Sequence, residues 1–396
     1  MDLPTFRELL SPAGQSALAD ATALAPTEAG FLGAFEKLRN MHSPPLARAA
    51  LETVLLRIRA REKHSLADRL YFTREAMEQS SSEAVSRHRA ARIREYPNVL
   101  DLCCGVGIDA IHLALAGCSV AAIDADPLRL AMAEANAAAC GVGDRIRFLE
   151  GDVLTMELPQ ADAAFIDPSR RNGERRFLDP ERYQPPLGSV LARLPVAFPF
   201  AAKIAPGVAR KDLERFDAEV EFVSSVGELK ECILWFGPLK TTRWRATVLP
   251  DFTLASNDPP PVPSPSEIRE YVFDPDAAVI RADLLSLLAA ELEAAPVDYG
   301  IAMLTGSKFV PSPFADGYRV EHSAPFHVGK LSDYLRKAGV GRITILKRAV
   351  ECDVNHVLKK LKLDGAEHRH VILTRSLGQT VAIVAQGVQP LPQPLP

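Results

Sequence analysis

The chain has 396 residues, 47% hydrophobic and 24% charged, a balance that excludes wholesale disorder and collagen-like repetition. This length predicts two or three domains, at roughly 100–200 residues each. The formal net charge of −4 excludes a uniformly basic coat. The charge is nevertheless uneven, because residues 301–387 carry 13 Lys and Arg against 7 Asp and Glu, a local balance of +6. Such asymmetry favours an acidic partner for that part of the chain.

Cysteine usage and hydropathy indicate the cellular compartment of the protein. The six cysteines show no CxxC pair and no metal-ligand spacing, so we expect reduced thiols and no metal site. Residues 1–10 lack a basic segment followed by an apolar core, and no apolar stretch approaches the roughly 18 residues that span a membrane. We therefore expect a soluble, cytoplasmic protein.

The first part of the chain, residues 1–95, is predicted to be a helical domain. Apolar residues recur at helical spacing over residues 47–58, and a second helix is predicted over residues 82–94. That second helix carries a run of basic side chains that includes His88 and Arg89. The run is either a solvated face or a substrate-binding one.

From residue 96 the pattern changes to short apolar strands that alternate with helices. Such alternation with short connections predicts an α/β domain with a doubly wound, parallel, Rossmann-like sheet over residues 96–251. The predicted strands span residues 98–103, 119–124, 145–149, 161–167, 197–204, 220–226, 232–236 and 247–249, and the predicted helices span 107–116 and 127–140.

The last third of the chain is predicted to contain a linker, a small domain and a tail. Residues 252–297 are predicted to be a Pro-rich linker followed by a helix over 277–293. A compact α/β module is predicted over 298–388. The tail, residues 389–396, alternates proline with leucine or glutamine and is predicted to be disordered.

The strongest local signal is a strand that ends in two glycines and leads at once into a helix. Residues 99–107 read Val-Leu-Asp-Leu-Cys-Cys-Gly-Val-Gly. Glycine lets the backbone pass close to a ligand, and a helix start presents unpaired amides. The third glycine of the dinucleotide fingerprint is absent.

An aspartate stands at the end of each of four successive predicted strands. Asp101, Asp124, Asp152 and Asp167 would meet at one edge of a parallel sheet. Carboxylates crowded there without a ligand would repel one another, so we expect this edge to bind one. The alternative is that all four only cap helices.

These motifs resemble the class I S-adenosylmethionine-dependent methyltransferases. The resemblance implies S-adenosylmethionine as cofactor, with Gly105 and Gly107 near its methionine part and Asp101 at its amino end. It also implies that Asp124 holds the ribose and Asp152 contacts the adenine amine. The expected cofactor-binding set further includes Cys103, Ala125 and Val153.

Within that class, residues 71–171 resemble RNA methyltransferases of the trimethylguanosine synthase type. The shared segments are Ser-Ser-Glu-Ala at 81–84 leading to His88, Cys-Gly-Val-Gly at 104–107, and Ile-Asp-Ala-Asp-Pro at 123–127. The chain departs from that family after the fourth strand. It has Asp-Pro-Ser-Arg-Arg at 167–171, where the family has a Ser-Pro-Pro-Trp loop that holds guanine.

The Asp167-Pro168 pair also resembles the loops of methyltransferases that act on exocyclic amines. An amine nitrogen has its lone pair delocalised into the ring, and a carboxylate acceptor can hold its hydrogens and orient it. Asp167 and Pro168 are therefore the expected catalytic residues. Arg170 and Arg171 could stack on a base or grip a phosphate, or could pair with nearby acids.

The basic C-terminal module resembles the THUMP-like modules fused to methyltransferases, whose relatives bind structured RNA. Lys347 and Arg348 are expected to contact RNA phosphates, as are His88 and Arg89. The alternative is a solubilising face on a dimerisation module. The resulting prediction is a methyltransferase that modifies a base nitrogen of RNA. The alternatives are a non-catalytic RNA-binding scaffold, or a methyltransferase acting on a protein or a small molecule.

Overall fold

The computed structural model describes residues 1–172, 175–361 and 363–388 of the chain. The chain divides into two compact units, each with its own core. The first unit comprises Met1–Ala218 and Cys232–Thr241; the second comprises Glu219–Glu231 and the chain from Thr242 onwards. No helix within the described residues is both long enough and apolar enough to cross a membrane.

Six helices open the first unit, where the sequence predicted a helical domain and located two of its helices. Asp2 and Ser11 cap the first two by accepting bonds from backbone amides, which satisfies donors that a helix start leaves unpaired. The apolar faces of the first five of these helices form one core with Val106 and Met132 of the following segment. The six are α1 (Leu3–Leu10), α2 (Pro12–Ala23), α3 (Phe31–Leu38), α4 (Pro44–Ala60), α5 (Arg74–Gln79) and α6 (Glu83–Ile93).

The rest of the first unit alternates strands and helices. Its elements are β1 (Asn98–Leu102), α7 (Ile108–Leu115), β2 (Ser119–Asp124), α8 (Pro127–Ala139), β3 (Ile146–Glu150), β4 (Ala163–Ile166), β5 (Arg171–Asn172), β6 (Arg175–Arg176), α9 (Leu187–Leu191), β7 (Phe200–Ile204) and α10 (Arg210–Glu214). Two strands follow: β8 (Glu219–Ser225) lies in the second unit, and the Cys232–Phe236 part of β9 (Glu228–Phe236) returns to the first.

The sheet of the first unit has β1 at its centre. Strands β7, β4, β1, β2 and β3 run parallel in that spatial order, and the Cys232–Phe236 part of β9 pairs antiparallel with β7. Crossing from one half of the sheet to the other at β1 makes it doubly wound, which confirms the predicted fold class. The carboxyl ends of β1 to β4 therefore meet at one edge, where ligands of such sheets bind.

The second unit contains a separate seven-stranded sheet. Outside that sheet, in the first part of the second unit, β8 pairs parallel with β10 (Trp244–Val248), which pairs antiparallel with β11 (Phe252–Ser256). The seven-stranded sheet has the order β13-β14-β12-β15-β18-β17-β16. Its elements are β12 (Tyr271–Pro275), α11 (Ala277–Arg281), α12 (Leu285–Glu291), β13 (Ala295–Pro296), β14 (Leu304–Gly306), β15 (Ala315–Pro325), α13 (Val328–Lys337), β16 (Val340–Lys347), α14 (Val354–Lys360), β17 (Glu367–Ser376) and β18 (Gln379–Val388).

The structure differs from the sequence prediction in the segment predicted to be a linker and a helix. The single helix predicted over 277–293 is wrong, because Asp283 adopts a left-handed backbone (φ +58°) that separates α11 from α12. Strand β12, from the same segment, pairs with β14 and β15. The domain limits remain a prediction, and the tail at 389–396 lies outside the described residues.

Candidate active site

A tight turn connects β1 to α7. Cys103, Gly105 and Gly107 all have positive φ, at +68°, +56° and +83°, so three of five consecutive residues take the left-handed backbone that favours glycine. A Cβ on Gly107 would lie 2.9 Å from the Cβ of Ala133, whereas one on Gly105 would meet open space. Gly107 is therefore needed for packing on α8, and Gly105 leaves room beside the turn.

Asp124 holds this turn to the end of β2. Its Oδ2 accepts a bond from the backbone N–H of Gly105 at 2.8 Å, and its Oδ1 accepts one from Asp126 at 3.0 Å. Asp126 in turn caps α8. Each carboxylate oxygen keeps a further lone pair, so Asp124 can fix the turn and still accept ligand hydroxyls.

Asp101, on the strand next to this turn, is a buried carboxyl without a partner. Its side chain is 1% exposed, and neither oxygen has a hydrogen-bond partner within the described residues. Burial, followed by the charges of Asp109 and Asp167, raises the pKa of Asp101 well above its ordinary value. A buried hydrogen-bond acceptor without a donor lowers the stability of the fold. The ammonium group of a ligand would supply that donor. This orphaned carboxyl fits the amino end of S-adenosylmethionine.

The four strand-end aspartates predicted from the sequence do come together. All four lie near enough to the thiol of Cys103 to act on it: its pKa is raised first by burial and then by the charges of Asp124, Asp101, Asp167 and Asp152. Asp152 is exposed and accepts a bond from the N–H of Leu154 at 2.8 Å, while Val153 is buried. Ala125 is exposed at the end of β2. The charge concentrated here suits a cationic ligand.

Asp167, directly after β4, forms an ion pair that the sequence analysis missed. Its Oδ2 accepts from Nζ of Lys203 at 2.5 Å, and Lys203 also donates to Oγ of Ser81 at 3.0 Å. Lys203 lies in the fully buried strand β7 and is 5% exposed, whereas a quarter of the Asp167 side chain remains exposed. Pro168, next along the chain, is buried.

The basic helix α6 does not present Arg89 to a substrate, so that expectation is corrected. Arg89 is 2% exposed and forms a buried ion pair with Asp109. It also donates to Ser81 at 2.7 Å and lies over the ring of Phe165, 5.0 Å from its centroid. Helix α6 packs on α7, and this turns Arg89 inward. His88, its neighbour, is half-buried.

The other predicted substrate-binding residues are spread over both units. Arg170 is half-buried beside the Asp167-Pro168 pair, and the side chain of Arg171 lies outside the described part of the structure. Lys347, in the second unit, is exposed. Arg348 is held by Asp274, whose Oδ1 accepts from its Nε at 3.0 Å and from its Nη2 at 2.7 Å. No cluster of three metal-ligating side chains occurs among the described residues.

Comparison with known families matches three parts of the chain. Residues 96–199 match the RNA cap guanine-N2 methyltransferase family, and residues 315–386 match the THUMP domain-like family. Residues 2–60 match a domain family of unknown function. The first of these matches covers residues 96–199 of the catalytic core predicted over 96–251, and the second covers most of the predicted THUMP-like module.

Similar proteins extend this result to most of the chain. An uncharacterised S-adenosylmethionine-dependent methyltransferase of Mycobacterium tuberculosis is 31% identical over 350 residues, covering 85% of this chain and 96% of its own length. A 23S rRNA uracil C5-methyltransferase of Acidithiobacillus ferrooxidans is 31% identical over 111 residues, 26% of this chain and 25% of its own. A crystal structure of a putative methyltransferase from Porphyromonas gingivalis W83 shares the fold, with TM-score 0.78, 20% identity and coverage of 98% and 100%.

Fold and site thus define a class I methyltransferase with a THUMP-like domain at its C-terminal end. The chain belongs to the S-adenosylmethionine-dependent methyltransferases, and S-adenosylmethionine is its cofactor.

Proposed function

We propose that this methyltransferase transfers a methyl group to an exocyclic amine nitrogen of a base in RNA. The proposal rests on the hydrogen bonding of the Asp167 carboxylate. One of its carboxylate oxygens is bound by Lys203, and the other has no protein partner within the described residues. Strand β4, which Asp167 follows, is the sheet neighbour of β1 and its glycine turn. A carboxylate acceptor therefore stands beside the proposed cofactor site.

We assign the cofactor edge to the residues that the sequence singled out. Asp101 would accept from the amino group, Gly105 and Gly107 would shape the turn beside the methionine part, and Asp124 would accept from the ribose. Asp152 would contact the adenine amine. Three further residues would line the same edge: Cys103, Ala125 and Val153. The orphaned oxygens of Asp101 and the space beside Gly105 support this assignment.

S-adenosylmethionine supplies an electrophilic methyl group on a sulfonium sulfur, which would keep the electron pair of the S–CH3 bond when that bond breaks and so leave S-adenosylhomocysteine. On the protein side, Oδ1 of Asp167 would accept an N–H of the acceptor amine and turn the nitrogen lone pair towards that methyl. As the new N–C bond forms, one amine proton becomes acidic. Oδ1 of Asp167 would take it and release it to solvent, to which a quarter of this side chain is open. Pro168 would stiffen the loop, since proline fixes φ.

RNA is the proposed partner, and it would be held mainly by the second unit. Support comes from the +6 charge balance of residues 301–387 and from the match to the THUMP domain-like family. The similarity to an RNA cap methyltransferase family and to an rRNA methyltransferase points the same way. Lys347, with Lys359 and Lys360 in the last turn of α14, is exposed and available to phosphates.

The test is methyl transfer from radiolabelled cofactor to cellular RNA by wild-type protein and the Asp167→Ala variant. We expect the variant to lose activity by about 100-fold or more, while its affinity for S-adenosylhomocysteine, measured by calorimetry, stays within about twofold. A matched control is Asp217→Ala, which removes an exposed aspartate of the same unit. If cofactor affinity fell in proportion to activity, Asp167 would have a structural role instead. If the radiolabelled product resisted ribonuclease, RNA would be excluded as the methyl acceptor.

A further inference from the structure

The register between β4 and β7 brings Lys203 next to Asp167. The last paired residues of these parallel strands are Ile166 and Ala202, so the residues that follow each of them lie side by side. Neighbours in a parallel pair point to the same face of a sheet. The short contact between Lys203 Nζ and Asp167 Oδ2 is thus a consequence of backbone geometry.

A buried lysine here is difficult to explain by stability alone. Burying an ammonium group costs several kcal/mol before its partner offsets it, and buried ion pairs are often no more stabilising than apolar side chains of similar volume. The other four residues of β7 are Phe200, Ala201, Ala202 and Ile204, all apolar and buried. A methionine or leucine at position 203 would suit that strand. What Lys203 adds is a fixed cation at the mouth of the acceptor site.

We propose that Lys203 is a positioning residue of methyl transfer, which fixes the carboxylate of Asp167 through Oδ2 so that Oδ1 faces the acceptor nitrogen. The proposal rests on the role given to Asp167 above. Ser81, which accepts a second bond from Nζ, anchors the ammonium from the other side. The bond to Ser81 thus fixes the lysine head group independently of Asp167, and the head group holds the aspartate.

Such fixation matters because the transfer needs the attacking nitrogen aligned with the methyl group. A displacement of about 1 Å can cost on the order of 100-fold in rate. Without Lys203, Asp167 would also lie uncompensated near Asp101, which carries a negative charge of its own when ionised. Repulsion would then favour rotation of the Asp167 carboxylate towards solvent and away from the acceptor.

A double-mutant cycle tests the proposal. Lys203→Met should lower kcat about 10- to 100-fold and leave the acceptor KM and S-adenosylhomocysteine affinity within about twofold. In an Asp167→Ala background the same substitution should change kcat by less than about twofold, because Lys203 acts only through Asp167. Effects that multiply, or a wild-type kcat for Lys203→Met, would overturn the proposal. The matched control is Lys240→Met, which breaks a surface Lys–Asp pair in the same unit.

Two further measurements keep the test decisive. Should Lys203→Met fail to fold, Lys203→Arg takes its place in the cycle. It keeps the charge, so we expect it to retain part of the activity and the same non-additivity with Asp167→Ala. If the wild-type protein methylates an acceptor other than RNA, the proposed function is wrong. The double-mutant cycle is then measured with that acceptor as the substrate. With no acceptor at all, a crystal structure of Lys203→Met with S-adenosylhomocysteine decides: an unmoved Asp167 side chain contradicts the positioning role.

Discussion

The two units of this protein use charged side chains in opposite ways. In the first unit, Arg89 of α6 and Lys203 of β7 are almost completely buried, and each is paired with an aspartate. In the second unit, basic residues such as Lys347 and Lys359 are exposed. Such a buried charge is held in one geometry by a few partners, so its role can be inferred from a few distances. Exposed charges act together through their electrostatic field, which salt screens. Their effect on binding is therefore the sum of small contributions from many residues.

Breaking a buried pair should therefore cost far more than breaking an exposed one, and α6 carries one of each. Arg89→Met would leave the mostly buried Asp109 without its nearest cation, and we expect the free energy of unfolding to fall by about 3–5 kcal/mol. Arg87, on the same helix, is 62% exposed and 3.9 Å from Glu83, so Arg87→Met should cost less than about 0.5 kcal/mol. Urea unfolding of both variants measures the contrast, and equal losses would show that Arg89 is not held as described.

The orphaned carboxyl of Asp101 predicts a pH effect. Its pKa is raised in the free protein, so between the ordinary aspartate pKa of 3.8 and that raised value the native state holds a proton that the unfolded state has lost. Stability should fall as pH rises through this window. Binding an ammonium group favours ionised Asp101, so cofactor affinity should rise with pH over the same window.

Asp101→Asn removes the titrating group at nearly the same size. We expect it to weaken S-adenosylhomocysteine binding by about 1–3 kcal/mol and to flatten both pH dependences, as measured by calorimetry and denaturant unfolding. An unchanged pH slope of affinity in the variant would mean that Asp101 does not meet the amino group.

The same contrast between buried and exposed charge explains what the sequence revealed. Strand β2 matches its predicted limits, residues 119–124, because an apolar run ends in a charged residue and then Pro127 begins a helix. The aspartates were found because parallel strand ends converge at one edge. Both inferences need only local pattern and one rule of sheet topology.

Arg89 and Lys203 could not be assigned in that way, since their roles depend on partners 20 and 36 residues away. Periodicity shows that α6 has faces, but not which face meets α7. A signal for Lys203 did exist: it is the one charged residue in Phe-Ala-Ala-Lys-Ile, and a lysine within a buried strand requires a partner. The neighbouring strand β4 is followed by an acid, Asp167, which is that partner.

Among the exposed charges, each residue should contribute little. We expect neutralising Lys347, Lys359 and Lys360 together to make the slope of log affinity against log salt shallower by about 2–3, at roughly 0.7–0.9 for each phosphate that the variant no longer neutralises. Arg348 is left intact because it is paired with Asp274. The control neutralises three lysines of the first unit: Lys37, Lys211 and Lys240. Filter-binding curves in which both triple variants overlay wild type would favour a dimerisation role for the module.

The most direct test of the central claim is mass spectrometry of modified nucleosides in RNA from cells with and without this protein. We expect one methyl group on an exocyclic base nitrogen to be lost when the protein is absent and to return with wild type, but not with Asp167→Ala. An unchanged set of RNA modifications, or the disappearance of a methyl group from carbon or ribose oxygen instead, would contradict it.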